Sequence, residues 1–247
     1  MTLQPGEVHI WSLNLDHPKY GDDLPGVLSA DEIARGQRFH LDLHRRRFLI
    51  GRAALRHLLS AYAETAPQAL EFAANACGKP SISNPAGSTL RFNFSHSNGA
   101  ALLAVTRHHE VGVDIEKIQP APDLLAMART FFAAGEYAAL LELPKQNRPA
   151  AFYHFWTAKE AYVKATYVKA RRQGLSIALD TFSVPPEPSA HFQLLQSQEG
   201  AEELARWTFC SLALLPGYAA ALAVESGPLA LAHFTFADDF ACIPQLA

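Results

Sequence analysis

Asp114 and Glu116 are the residues whose type and spacing first suggest chemistry. They sit in Val111-Gly112-Val113-Asp114-Ile115-Glu116, where apolar residues alternate with the rest as in a strand with one greasy face. Side chains two apart in a strand point the same way, so the two carboxylates share a face. Side by side they repel unless solvent or a cation lies between them. A hard divalent ion such as Mg2+ takes oxygen ligands, keeps several waters, and can be held by one or two carboxylates plus substrate phosphates. An isolated Asp-x-Glu is more often a half-exposed strand facing water, so the cation reading needs partners elsewhere in the chain.

Two other stretches offer them. In Phe152 to Ala165 the residues Phe152, Phe155, Trp156, Tyr162 and Val163 fall on a helical apolar stripe, and Glu160 and Lys164 lie beside it at i,i+4. Alone they are a surface ion pair. Pressed against aromatic rings, a carboxylate needs a partner, and a metal shared with Asp114 and Glu116 would supply one. In Asn93-Phe94-Ser95-His96-Ser97, Ser95 and His96 are adjacent, so in a strand they face opposite ways and are badly placed to share a proton. A hydroxyl and an imidazole at a strand end suit an anion instead, the alternative being a capping serine and a structural histidine. His40 and His44 share a helical face but have no third metal ligand nearby. From Asp31 to Arg56 seven arginines (35, 38, 45, 46, 47, 52, 56) stand against three carboxylates, which is either a solvated helix face or an anion site.

The elements that must position these groups can be read in order. Glu7 to Leu15 alternates as a strand. Ser29 and Glu32 form a capping box that opens a helix, and a second helix runs from about Leu43 to Ala63. Cys77-Gly78-Lys79-Pro80 is a turn, and Leu90 to Val105 is a hairpin about Ser97-Asn98-Gly99. A helical run from Leu124 to Leu141 and a long helix from about Pro149 to Tyr167 follow. Strand patterns then appear at Thr181–Val184, His191–Leu195, Trp207–Leu214 and Tyr218–Val224.

Asn98-Gly99-Ala-Ala-Leu-Leu-Ala-Val105 is echoed by Gly217-Tyr-Ala-Ala-Ala-Leu-Ala-Val224. The two halves read either as a duplicated unit, with a ligand cleft expected between them, or as two unrelated hairpins of common strand composition.

The bulk properties narrow the class. The chain has 247 residues, 49% of them hydrophobic and 18% charged, and a formal net charge of −3, which suits a globular protein without a general affinity for nucleic acid or acidic membranes. Three widely spaced cysteines (77, 210, 242) argue against a disulfide framework and for a reducing compartment. With no secretory pattern at the N-terminus and no long apolar run, a cytoplasmic location is expected.

Seven motifs, in order, resemble the Sfp-type 4'-phosphopantetheinyl transferases. They are Arg45-Arg46-Arg47-Phe48-x-x-Gly51-Arg52, Gly78-Lys79-Pro80, Phe92-Asn93-x-Ser95-His96-Ser97, Gly112-x-Asp114-Ile115-Glu116, Arg129-x-Phe131-Phe132-x-x-x-Glu136-Tyr137, Phe155-Trp156-x-x-Lys159-Glu160-Ala161-x-x-Lys164-Ala165 and Gly174-Leu175-Ser176. The resemblance implies an α+β fold of two similar lobes, here 1–109 and 110–247, with the active site in the cleft. It implies transfer of phosphopantetheine from coenzyme A to a serine of an apo acyl or peptidyl carrier protein, dependent on Mg2+ and releasing adenosine 3',5'-bisphosphate. A monomer would suffice.

Residue by residue, the resemblance puts the metal on Asp114, Glu116 and Glu160, and Lys164 near the diphosphate. Coenzyme A contacts are expected from Arg35, Arg46 and Arg47, with Arg45 beside them, and from Lys79, Ser95, His96 and Lys159. Glu160 is the expected base for the serine hydroxyl, directly or through a water, and Glu136 is its rival. The chain departs from the pattern after Lys164, where Ala165 to Gln173 intervenes before Gly174 and the helix is expected to run on. A Mg2+-dependent phosphohydrolase and a non-catalytic coenzyme A-binding protein are the competing classes.

Overall fold

The computed structural model describes residues 1–17, 26–75, 78–170, 178–225 and 230–236. Eleven strands and six α-helices are formed among them: β1(Glu7–Asn14), α1(Ala30–Gly36), α2(Asp42–Ala63), β2(Glu71–Ala74), β3(Pro80–Asn84), β4(Leu90–Ser97), β5(Ala100–Arg107), β6(Val111–Lys117), α3(Leu124–Phe131), α4(Ala134–Glu142), α5(Arg148–Ala170), β7(Phe182–Ser183), β8(Gln196–Ser197), α6(Ala201–Arg206), β9(Trp207–Ser211), β10(Tyr218–Glu225) and β11(Ala230–Thr235). Two sheets dominate, with orders β11-β1-β5-β4 and β6-β10-β9. Each builds its second neighbour contact by a hairpin, β4 with β5 and β9 with β10.

Alternation decides which layer each residue enters. On β1 and β5, Trp11, Leu13, Ala101, Leu103 and Val105 face α2, where Leu55, Leu58 and Leu59 meet them. Their neighbours Val8, Ile10, Leu102 and Ala104 face the other sheet and pack on Val113, Ile115, Leu222 and Val224. Beyond that sheet, Ala221, Ala223 and Phe209 meet Phe155, Ala158 and Tyr162 of α5. The result is four layers, helix, sheet, sheet, helix. Because both faces of β5 are covered, it reads as a continuous apolar run rather than an alternating one.

Several expectations are met and several corrected. The capping box of α1 is present: Ser29 N–H donates to Glu32 Oε2 at 2.9 Å and Glu32 N–H to Ser29 Oγ at 3.3 Å. The helical run from Leu124 to Leu141 is two helices, because Phe132 is extended (φ −98°, ψ 154°) and drives its ring between Phe152 and Phe155. Glu136 then restarts the helix by accepting the Ala133 N–H at 2.8 Å. His191–Leu195 is not a strand; Phe192 makes a single bridge to Phe209. The expected lobe boundary is crossed by β11, which pairs parallel with β1 from Glu7↔Ala230 to Ser12↔Thr235. α5 runs to Ala170, past the expected end, and Cys77, Cys242 and Gly174-Leu175-Ser176 lie outside the described residues. No helix among the described residues is long and apolar enough to cross a membrane.

Candidate active site

The carboxylates of β6 owe their position to a glycine. Gly112, Asp114 and Glu116 form the face of β6 opposite Val111, Val113 and Ile115, and a Cβ at Gly112 would collide with the carbonyl oxygen of Ala161 and the backbone nitrogen of Ala165. Without that Cβ, α5 lies directly on the strand, which brings Lys164 to Asp114.

Asp114 is 3% exposed. Its Oδ1 receives the Lys164 ammonium at 2.5 Å and the Ser95 hydroxyl at 2.8 Å, while Lys164 also donates to Ser95 Oγ at 3.1 Å. The other oxygen, Oδ2, is buried and has no hydrogen-bond partner. A buried carboxylate oxygen left bare costs free energy, and a cation at that oxygen would remove the cost.

β4 carries the complementary half. Asn93, Ser95 and Ser97 share one face of the strand, and all three reach across to β6 with their side chains. Asn93 Oδ1 accepts the Val113 N–H at 2.9 Å, and Ser97 Oγ donates to Glu116 Oε2 at 2.7 Å and accepts the Lys117 N–H at 3.2 Å. The two sheets are thus joined at this edge by side chains in place of a backbone ladder. Sequence reasoning took Ser97 for a turn residue. Its period of two with Asn93 and Ser95 was the available signal.

Charge and burial act together on the acidic groups. Desolvation raises the pKa of Glu160, Lys164 pulls it back, and Asp114 and Glu116 raise it again. Desolvation likewise raises Glu116, against the Ser97 hydrogen bond. The charges of Asp114 and Glu116 thus both act on Glu160. Among the described residues, no three acidic, histidine or cysteine groups converge into a ready-made metal cage. For Mg2+ that is no obstacle, since it keeps waters and takes phosphate oxygens, and the bare Asp114 Oδ2 suits it.

The expected anion contacts divide into two groups. His96, at the end of β4, has its pKa lowered by desolvation and then by the cations Lys164 and Arg47, so it lies in the positive field of both. Arg47 clasps Asp16 through Nε at 2.7 Å and Nη2 at 2.6 Å, and a Cβ at Gly99 would collide with that Asp16 carboxylate. Arg46 donates to the His17 carbonyl at 3.4 Å, and the Arg35 guanidinium lies 5.4 Å from the Phe48 ring centroid. Arg45 pairs with Asp42 at 2.7 Å, on the outer face of α2.

The other group is structural. Lys79, 7% exposed, gives its ammonium to Glu110 at 2.9 Å and to the carbonyls of Val111 and Ala165 at 3.0 and 3.3 Å. It is a cross-link between β3, β6 and α5 rather than a group free to meet a phosphate. Lys159 is fully buried and pairs with Glu136 at 2.8 Å, and it donates to the Leu179 and Phe182 carbonyls at 2.7 Å each. The Lys159 ammonium, expected at coenzyme A, is thus engaged by protein groups, and Glu136, the rival base, also accepts the Val184 N–H at 2.9 Å. The position of Lys159 was readable: four residues after Phe155 and three before Tyr162, it falls on the buried stripe. Arg52 and Arg56 belong to this group too, both held by Glu32.

Known proteins resemble this chain over most of its length. The family model of the 4'-phosphopantetheinyl transferase superfamily matches residues 110–223, which contain Asp114, Glu116, Glu160 and Lys164. The 4'-phosphopantetheinyl transferase HetI of Nostoc sp. (strain PCC 7120 / SAG 25.82 / UTEX 2576) is 41% identical over 76% of this chain and 79% of its own. The 4'-phosphopantetheinyl transferase ffp of Bacillus subtilis is 33% identical over 71% of this chain and 75% of its own. The 4'-phosphopantetheinyl transferase Sfp of Bacillus subtilis (strain 168) is 30% identical over 71% and 75%. With relatives of this identity aligned over most of both chains, and with the acidic cluster, Lys164 and Ser95 assembled at one edge, the chain belongs to the 4'-phosphopantetheinyl transferase family.

Proposed function

We propose that the junction of β4, β6 and α5 is where this transferase moves the phosphopantetheine arm of coenzyme A onto a serine of an apo acyl or peptidyl carrier protein. The observation that carries the assignment is the partnerless Oδ2 of Asp114 beside Lys164 and Ser95. Asp114, Glu116 and Glu160 would hold Mg2+, whose charge, when bound, offsets that building on the diphosphate.

The chain's own residues then do the following. The carrier serine oxygen bonds to the phosphorus nearest the pantetheine, and the bond from that phosphorus to the departing adenosine 3',5'-bisphosphate breaks. Glu160 takes the serine proton, directly or through a water. Lys164 supplies fixed positive charge beside the leaving phosphate. Arg35, Arg46, Arg47, Ser95 and His96 bind the phosphates and nucleotide.

We read the chain as two similar lobes, 1–109 and 110–247, with β11 returning to the first. Equivalent strand orders support it: with β11 set aside, β1-β5-β4 matches β6-β10-β9 as first, last and penultimate strand of each half. Val105 sits opposite His9 and Phe92 just as Val224 sits opposite Val111 and Thr208. The small net charge of −3 supports a protein without general affinity for nucleic acid or acidic membranes, two lobes in one chain make a monomer sufficient, and the three widely spaced cysteines favour the cytoplasm.

Incubation with coenzyme A, Mg2+ and an apo-carrier should add the arm's mass to the carrier. Asp114→Asn should abolish the gain with the circular dichroism spectrum unchanged. Near wild-type transfer by that variant at saturating Mg2+ would remove Asp114 from the site, and free phosphate in place of a modified carrier would point to hydrolysis.

A further inference from the structure

Ser97 does for Glu116 what Ser95 does for Asp114. Each serine stands on the same face of β4, and each gives its proton to one oxygen of one carboxylate. The hydroxyl of Ser97 has a single proton to give. One of its two lone pairs accepts the Lys117 N–H at 3.2 Å, and the proton goes to Glu116 Oε2 at 2.7 Å. Oε2 is thereby occupied, while Oε1 has no hydrogen bond among the described residues. Glu116 lies near the end of β6 and is half-buried, with several rotatable bonds. Left alone it would sample many rotamers, and most of that freedom would be lost whenever a cation was bound.

We propose that Ser97 is a positioning residue for the cation site: it fixes the Glu116 carboxylate so that Oε1 is the oxygen offered to a cation shared with Asp114. The proposal rests on the reading of Asp114 and Glu116 as metal ligands. Ser97 touches neither substrate nor reacting atoms and acts through Glu116. Its backbone contact to Lys117 serves the same end, because it ties the strand that carries the ligand to the strand that carries the hydroxyl.

The test compares Ser97→Ala, Ser97→Cys and Ser97→Thr with the unaltered chain. Binding of Mn2+ in the presence of coenzyme A is followed by the loss of the free-ion electron paramagnetic resonance signal. Groups that hold a metal ligand in place typically account for 10–100-fold in metal affinity. Ser97→Ala should therefore bind Mn2+ about tenfold more weakly, and the Mg2+ concentration for half-maximal transfer should rise by the same factor. The rate at saturating Mg2+ should be kept within about twofold of the unaltered chain. Ser97→Cys keeps the volume but donates weakly and should match Ser97→Ala, so loss of fold in one leaves the other to decide. Ser97→Thr keeps the hydroxyl and should restore the affinity. Unchanged Mn2+ affinity in the Ala and Cys variants, or a Thr variant as weak as they are, overturns the proposal. An unaltered chain that binds Mn2+ but modifies no carrier would overturn the proposed function instead, with the Mn2+ titrations still deciding the role of Ser97.

Discussion

Gly112 of β6 and Ala161 of α5 touch backbone to backbone, with no space for a side-chain carbon between them. This contact sets the height of α5 over the strand, and with it the reach of Glu160 and Lys164 toward Asp114. Close approach of this kind is available to glycine alone.

Gly112→Ala should therefore lift α5. Overpacking of this kind costs about 1–3 kcal/mol, and a displacement near 1 Å at the chemistry costs about 10²-fold in rate. Gly135, at the start of α4, would meet nothing within 4 Å of an added Cβ, so Gly135→Ala should leave rate and melting temperature unchanged or slightly raise the latter. Equal behaviour of the two variants would show that the Gly112 contact does not govern the site.

Glu136 and Glu160 should separate cleanly. Glu136 and Lys159 are buried together, and removing one partner of such a pair costs roughly 3–5 kcal/mol. Glu136→Gln should lower the melting temperature sharply while the folded fraction keeps its turnover. Glu160→Gln should melt like the wild type and lose at least ~10²-fold in rate. The reverse pattern, measured by calorimetry and single-turnover transfer, would make Glu136 the base.

Arg47 and Lys79 should divide in the same way. A charge-assisted contact is worth roughly 1.5–3 kcal/mol, so Arg47→Ala should weaken coenzyme A binding about tenfold or more, and dephospho-coenzyme A less if the contact is to the 3'-phosphate. Lys79→Ala should leave both affinities within about twofold while destabilising the fold, because Glu110 and two carbonyls lose their donor. Calorimetric titration of both ligands decides.

The pH dependence of stability should carry a mark from His9. Its Nδ1 lies 2.7 Å from the Tyr62 hydroxyl, which accepts the Trp11 indole N–H at 2.9 Å and so has its own proton for His9. Burial lowers the His9 pKa, with Glu7 opposing. The folded-state value is then below the unfolded one, so below about pH 6.5 the unfolded chain takes up more protons. Stability contributed by neutral His9 is present above that pH and is lost as pH falls toward the folded-state value. His9→Gln should flatten the fall in melting temperature between about pH 7 and 5.5, though not abolish it, since burial also lowers His57 and His154. An unchanged slope would show that His9 does not titrate with unfolding.

Much of the site was legible from spacing. Period two put Asp114 and Glu116 on one face, and a turn of helix put Glu160 and Lys164 together; the structure keeps both. Motif charges misled where packing decides their fate. Lys79 and Lys159 have the same side chain as Lys164, but the first is enclosed by β3, β6 and α5 and the second by the aromatic core. Only the helical phase of Lys159 hinted at this. The break at Phe132 was hidden because its cause is tertiary: the rings of Phe152 and Phe155, far along the chain, receive it. β11 was missed because Ala230 to Thr235 pairs with the other end of the chain, and local pattern carries no trace of that partner.

That partner has a consequence for biosynthesis. The first strand described, β1, has β5 on one flank and β11 on the other, and β11 is the last strand described. Until residue 235 has left the ribosome, one edge of β1 is unpaired, with Val8, Ile10 and Trp11 on its faces. An open apolar edge invites foreign strands. The nascent chain must therefore carry the open edge of β1 through the synthesis of the whole acidic cluster and α5, and the sheet closes only after both exist.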